Sequence, residues 1–258
     1  MEFYDSGDLI GEVTSPPFDF TAQNLSLGTH NIYGKMFSGS EFGLTNFITI
    51  VVGDQVAYNN SENNIPGTIE PGKYDFFEGG LGQNISYFDN SLNNEGTYRT
   101  DEYVDVEYSG NTEGPTLGWI DPGEWVEYSV NVLTAGYYDL EYRYASDIAG
   151  GGGPFYLKIS EQKVSDDIYT ANTGDWYNWQ TGNSQNIELN AGKHVLRIVF
   201  TQGGFNLGRL NFTYNRTLDY NPPLSNAGED ILIVLPNSTA SGSPTYPSPI
   251  KAIFLFFI

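Results

Sequence analysis

The 258-residue chain has no cysteine, only two histidines (His30 and His194), and 11 Lys+Arg against 32 Asp+Glu. Without thiols there is no thiol nucleophile, thiolate metal site or disulfide, and redox usage does not report the compartment. Two histidines cannot supply a His-rich zinc site. The formal net charge of −21 repels phosphate backbones and anionic bilayers, so nucleic acid and acidic membranes are poor partners. No run approaches the ~20 apolar residues of a membrane span. The closing segment Ile250–Ile258 is apolar but too short, and the opening Met1–Asp8 is not a signal peptide. On this reading the sequence is either cytoplasmic or a piece of something longer.

What the chain does have is aromatic residues and glycine: 19 Tyr, 16 Phe, 4 Trp and 30 Gly. That composition belongs to a β-rich, turn-rich protein. At ~150 residues per domain, the length allows one large domain or up to two smaller ones.

Alternation of apolar and polar residues carries the architecture. In residues 1–52 it runs over Glu2–Asp5, Leu9–Val13, Phe18–Thr21, Thr29–Tyr33 and Phe47–Val52, which predicts short antiparallel strands. Residues 53–67 are rich in Asn, Gly and Pro and read as a linker. Residues 68–215 form the one full-sized domain. There Val126, Tyr128, Val130 and Val132 share a strand face, as do Tyr138, Leu140, Tyr142 and Tyr144, and as do Leu196, Ile198 and Phe200. Glycine turns separate these runs, and the expected fold class is all-β, a β-sandwich. Residues 216–258 hold one strand-like stretch and a Ser/Thr/Pro-rich run, which predicts a linker and a poorly ordered tail.

Most aromatic side chains belong in the sandwich core, but two tryptophans sit in turns. Trp176 lies in Thr173-Gly-Asp-Trp-Tyr-Asn-Trp179, polar throughout and followed by Gly182; Trp119 lies between Gly118 and the Asp121-Pro-Gly turn. Asn206 follows the glycine pair Gly203-Gly204. An indole presents an apolar plate to the C–H face of a pyranose, and amides satisfy its hydroxyls. Two plates with an amide between them would hold one sugar ring, whereas Trp179 is expected to be buried.

The acidic neighbours Asp101/Glu102/Asp105, Asp121/Glu124 and Asp166/Asp167 read as exposed turn and strand residues, not as the facing pair of a glycosidase. Arg99 and Arg143 are expected to pair with nearby acids, and His194 to be a polar strand end.

Five ordered segments resemble a known family: Thr116–Val132, Ala135–Ser146, Thr173–Thr181, Leu189–Arg197 and Gly203–Leu207. Together they look like a family-6 carbohydrate-binding module. Tyr74-Asp75, Gly82–Asp89 and Gly96–Asp105 are similar to the long variety that accompanies agarases and β-glucan hydrolases. The resemblance implies a jelly-roll sandwich and a loop-apex cleft built from Trp119, Trp176 and Asn206. The acidic or amide residue that completes the cleft is expected at Gln83, with Tyr87 beside it. It further implies a structural calcium at Glu70, where Gly72 replaces the family's second glutamate. Residues 1–52 resemble part of a bacterial immunoglobulin-like spacer domain, and Asn221–Pro236 the first strand of a PKD-like spacer.

The function expected is therefore non-catalytic binding of agarose, β-glucan or xylan chain ends. The chain would be a monomer, secreted or at the cell surface, and would target a tethered glycoside hydrolase to its substrate. The alternative is a structural or adhesion spacer with no working cleft.

Overall fold

The structure, a computed structural model, describes residues 1–108 and 113–218. In chain order the strands are β1 (Glu2–Asp5), β2 (Asp8–Glu12), β3 (Gly28–Ser38), β4 (Glu41–Leu44), β5 (Ile48–Val52), β6 (Gln55–Val56), β7 (Asn63–Ile65), β8 (Gly67–Ile69), β9 (Phe76–Phe77) and β10 (Tyr87–Phe88). They continue as β11 (Val106–Tyr108), β12 (Pro115–Leu117), β13 (Trp125–Val132), β14 (Gly136–Ser146), β15 (Gly152–Ile159), β16 (Gln162–Lys163), β17 (Ile168–Thr170), β18 (Asp175–Leu189), β19 (Gly192–Phe200) and β20 (Asn206–Arg216). Among the described residues the only helices are two single 3₁₀ turns, Tyr58–Asn60 and Pro71–Lys73.

The first compact unit includes residues 1–25 and 30–50. It is a five-stranded sheet of order β2-β1-β3-β4 with β5 also on β3. The stretch Phe18–Thr21 is not a strand; Phe20 instead stacks on Phe3, ring centroids 4.6 Å apart.

The second unit includes residues 51–218. Two sheets face each other, one of order β10-β13-β19-β15-β16 with β7 and β17 attached, the other of order β11-β12-β20-β14-β18 with β8 attached. The faces expected to turn inward do so: Val126, Tyr128, Val130 and Val132 from β13, and Leu196, Ile198 and Phe200 from β19, meet Tyr138, Leu140 and Tyr142 from β14. Phe155 is the hub, 5.5 Å from both Tyr142 and Phe205. This second unit is an all-β sandwich.

Residues 53–67, linker-like in composition, contribute to this unit. They supply β6 and β7; β7 pairs in parallel with β13, and Ile65 is fully buried. Asn and Gly enrichment there marks tight backbone geometry, with Asn59, Asn60 and Gly67 all at positive φ. The expected tail and PKD-like strand lie mostly in 219–258, outside the described residues.

One end of the sandwich is built by backbone lying on backbone. A β-carbon on Gly203 would fall 1.7 Å from the Ile120 carbonyl oxygen, and one on Gly151 would fall 1.8 Å from that of Thr170. The first of these contacts holds the Ile120 segment against the segment that leads into Gly204 and Asn206, and both segments line the candidate site. Gly203→Ala should therefore cost about 3 kcal/mol or more, because backbone segments rather than one side chain must move. The readout is a melting temperature lower by on the order of 10 °C.

Candidate functional site

The register of the second sheet gathers five strand ends at one end of the sandwich. Val106 lies opposite Leu117, Leu117 opposite Leu207, Ala145 opposite Asn206, and Ser146 opposite Asp175. Just beyond these pairs a cleft of about 310 Å³ opens, lined by Glu107, Trp119, Ile120, Trp176, Tyr177, Gly204, Phe205 and Asn206. Its volume lies at the small end of the ligand-pocket range, roughly 300–1,000 Å³.

Each wall has a local cause. Trp119 has φ 47°, the left-handed region, which is costly for a bulky residue and turns the chain sharply between Gly118 and Ile120. The indole is left 52% exposed. Trp176 opens β18 and is 37% exposed. Its loop is held from beneath: Thr173 Oγ1 accepts the Ser146 N–H (2.9 Å) and donates to carbonyl oxygens, while Asp175 Oδ1 accepts the Tyr177 N–H (2.7 Å). The floor belongs to the core, since Phe205 is 1% exposed and stacks on Phe155.

Asn206 ties the two indole-bearing segments together. Its Nδ2 donates to the Trp176 carbonyl (2.9 Å), and its Oδ1 lies so near Gly118 that a β-carbon there would be 3.1 Å away. Among the described residues, the second amide proton and the carbonyl oxygen make no other protein hydrogen bond. Across the cleft the Tyr177 hydroxyl donates to Glu107 Oε2 (2.9 Å) and Oε1 (3.2 Å). That bond to an acceptor carboxylate, with some burial, raises the Tyr177 phenol above its ordinary range and keeps it protonated.

The structure thus brings together Trp119, Trp176 and Asn206. Gln83 and Tyr87 are elsewhere. The Gln83 amide exchanges two hydrogen bonds with the Asp89 backbone (2.7 and 3.0 Å), and Tyr87 is fully buried with its ring edge-on to Tyr74. A side chain closed into the core cannot stack on a ligand, and a twice-bonded amide has little left to offer one. The acidic member of the cleft is Glu107 instead, and Tyr177 is its partner. Trp179 is half-buried, near Gly208.

Several acids outside the cleft are bound within the protein. Glu102 pairs with Arg99, Glu113 with Arg143, and Asp167 with Lys163. Glu124 accepts the N–H groups of Asn90 and Asp121 (3.2 and 2.9 Å), closing the turn behind Trp119. His194 shares a 2.9 Å hydrogen bond with the Asn190 carbonyl, a polar strand-end role.

Glu70, where the resemblance implies calcium, has a partner within the chain. Its carboxylate pairs with Lys73, and among the described residues no group of three His, Cys, Asp or Glu could hold a metal ion. Ca²⁺ takes six to eight oxygens.

A sequence model of the carbohydrate binding module (family 6) matches residues 95–214. A module of Cellvibrio mixtus lichenase 5A, solved in complex with cellotriose, is 30% identical over 44% of this chain and 88% of that one, with a TM-score of 0.40. The C-terminal module of a marine laminarinase from Zobellia galactanivorans is 32% identical over 43% of this chain and 87% of that one, with a TM-score of 0.38. The chain belongs to the family-6 carbohydrate-binding modules. A β-1,3-glucan-binding module from Bacillus halodurans is 20% identical over 59% of this chain and 98% of that one, TM-score 0.42. Family 6 is a family of non-catalytic carbohydrate binders. The match begins at residue 95, and the spacer-like flanks lie outside it.

Proposed function

We propose that this module holds the end of a neutral polysaccharide chain in the cleft between Trp119 and Trp176. The single observation that carries this reading is the placement of two half-exposed indoles and the Asn206 amide on one small cleft. The indoles cover the apolar faces of a sugar ring, the spare Asn206 proton and oxygen meet its hydroxyls, and Glu107 accepts hydroxyl donors from the side. Affinity should be modest, about 4–7 kcal/mol, because a small wet site recovers little beyond the cost of association.

Glycoside hydrolysis by the usual route needs two facing carboxylates. The described residues lining this cleft include one, Glu107, already bonded to Tyr177. The module is therefore a binder that raises the effective concentration of an attached enzyme on its substrate, in a secreted or surface-attached protein. Consistent with this, the modules similar to it come from a lichenase and a laminarinase.

Affinity electrophoresis in gels containing agarose, laminarin or xylan tests the reading. Retardation by at least one of these neutral polymers is expected, with no release of reducing sugar. Failure on all three would leave the spacer reading. Glu107 and the net charge of −21 also predict selectivity. A sulfated or uronate-rich polymer should retard the protein much less than its neutral counterpart at low ionic strength, where charge repulsion is least screened.

A further inference from the structure

The turn around Glu70 departs from a metal site in a way that can be read atom by atom. Glu70 follows β8 and opens the 3₁₀ turn Pro71–Lys73, which is closed by the Lys73 N–H donating to the Glu70 carbonyl (2.9 Å). Position 72 cannot carry a carboxylate. Gly72 is buried, and a β-carbon on it would meet Val106 Cγ1 at 2.5 Å and Pro115 Cβ at 2.7 Å. The space a second acidic side chain would occupy is filled by the hairpin formed by β11 and β12.

Lys73 supplies a positive charge in its place. Its ammonium pairs with Glu70 Oε2, and on the other side a β-carbon on Gly114 would lie 3.1 Å from Oε1. One carboxylate oxygen is thus bound to a cation carried by the chain itself, and the other faces backbone. A divalent ion approaching Glu70 would meet like charge and too few oxygens.

We infer that this module folds and binds without calcium, the Lys73 ammonium standing where a metal ion would otherwise balance Glu70. The turn is then insensitive to chelators and to calcium concentration.

The test uses the full 258-residue chain. Its melting temperature should be the same in EDTA and in millimolar calcium chloride. Terbium, a luminescent calcium surrogate sensitised by nearby tyrosine, should give no stoichiometric signal. Tyr98 is close enough to Glu70 to feel its charge and would report terbium bound there. Lys73→Asp should lower the melting temperature in EDTA, respond to calcium, and bind terbium one to one. If that variant fails to fold, Lys73→Glu provides the same comparison, since it also sets a second carboxylate beside Glu70. A calcium-dependent melting temperature or saturable terbium binding in the unmodified chain would overturn the inference. So would a folded Lys73 variant that stays indifferent to both ions, since the lysine would then not be what keeps a cation out. Glycan retardation, measured in EDTA and in calcium, reports the cleft separately.

Discussion

Trp176→Ala should abolish measurable retardation by the glycan that retards the native chain, while leaving the melting temperature nearly unchanged. The indole is 37% exposed and stands on a loop pinned by Thr173 and Asp175, so its removal opens no cavity in the core. Exposed truncations of this kind usually shift stability by less than about 0.5 kcal/mol. Its loss from the binding side is larger. An aromatic anchor that covers one face of a ligand is worth about 2 kcal/mol, or roughly 30-fold in affinity. Starting from a modest affinity, that takes binding below the range of gel retardation, and calorimetry would measure the remainder. Asn206→Ala should differ in kind. It removes both a ligand contact and the bond to the Trp176 carbonyl, so binding falls and the melting temperature falls with it.

The second large effect is on stability against pH. Asp105 and Glu124 are 5% and 7% exposed and sit near Asp89 and Asp121 behind the Trp119 turn. Burial first, and the neighbouring carboxylates second, push Asp105 up to about 6 and Glu124 up to about 7; Asp89 is raised for the same reasons. In the unfolded chain such groups titrate near 4. Between those limits the folded protein binds more protons than the unfolded one, so stability falls as pH rises. Below about pH 4 both states are protonated and the effect is absent; above about pH 7 the cost is fully present. The melting temperature should therefore be higher at pH 5 than at pH 8, with each acid contributing on the order of 2–3 kcal/mol. The charge of −21 works in the same direction, so the isolating variant is Asp105→Asn. The Asp105 oxygen that accepts the Glu95 N–H is retained in the amide, and the variant should be more stable than native at pH 8 and little changed at pH 5. A melting temperature that rose from pH 5 to pH 8 would contradict the assignment.

Much of the fold was legible because long strands with one buried face write their period into the sequence. β13, β14 and β19 bury the side chains that alternation selects. Short strands leave no such record. β7 and β8 hold three residues each, and their placement comes from partners far along the chain, so a segment that looks like a linker became part of a sheet. The site divides in the same way. Trp119, Trp176 and Asn206 sit beside glycines in turns, where a large or polar side chain has no core to serve, and that anomaly is visible in the sequence. Glu107 is an ordinary strand acid, one of 32 Asp+Glu, and only register across β11 and β12 brings it to the cleft. Gln83 and Tyr87, expected at the cleft from the resemblance alone, lie away from this one: the Gln83 amide satisfies the Asp89 backbone, and Tyr87 is closed into the core.

The most direct measurement follows the indole Nε1–H resonances of the ¹⁵N-labelled chain during titration with an oligosaccharide of the polymer that retards it. The chain has four tryptophans, giving four resolvable signals. Trp125 is covered by the Arg197 guanidinium at 3.8 Å, and Trp179 is half-buried. The account predicts that the Trp119 and Trp176 signals move together with one dissociation constant while the other two stay in place. Movement confined to Trp125 or Trp179, or two different constants for Trp119 and Trp176, would contradict a sugar held between the two rings.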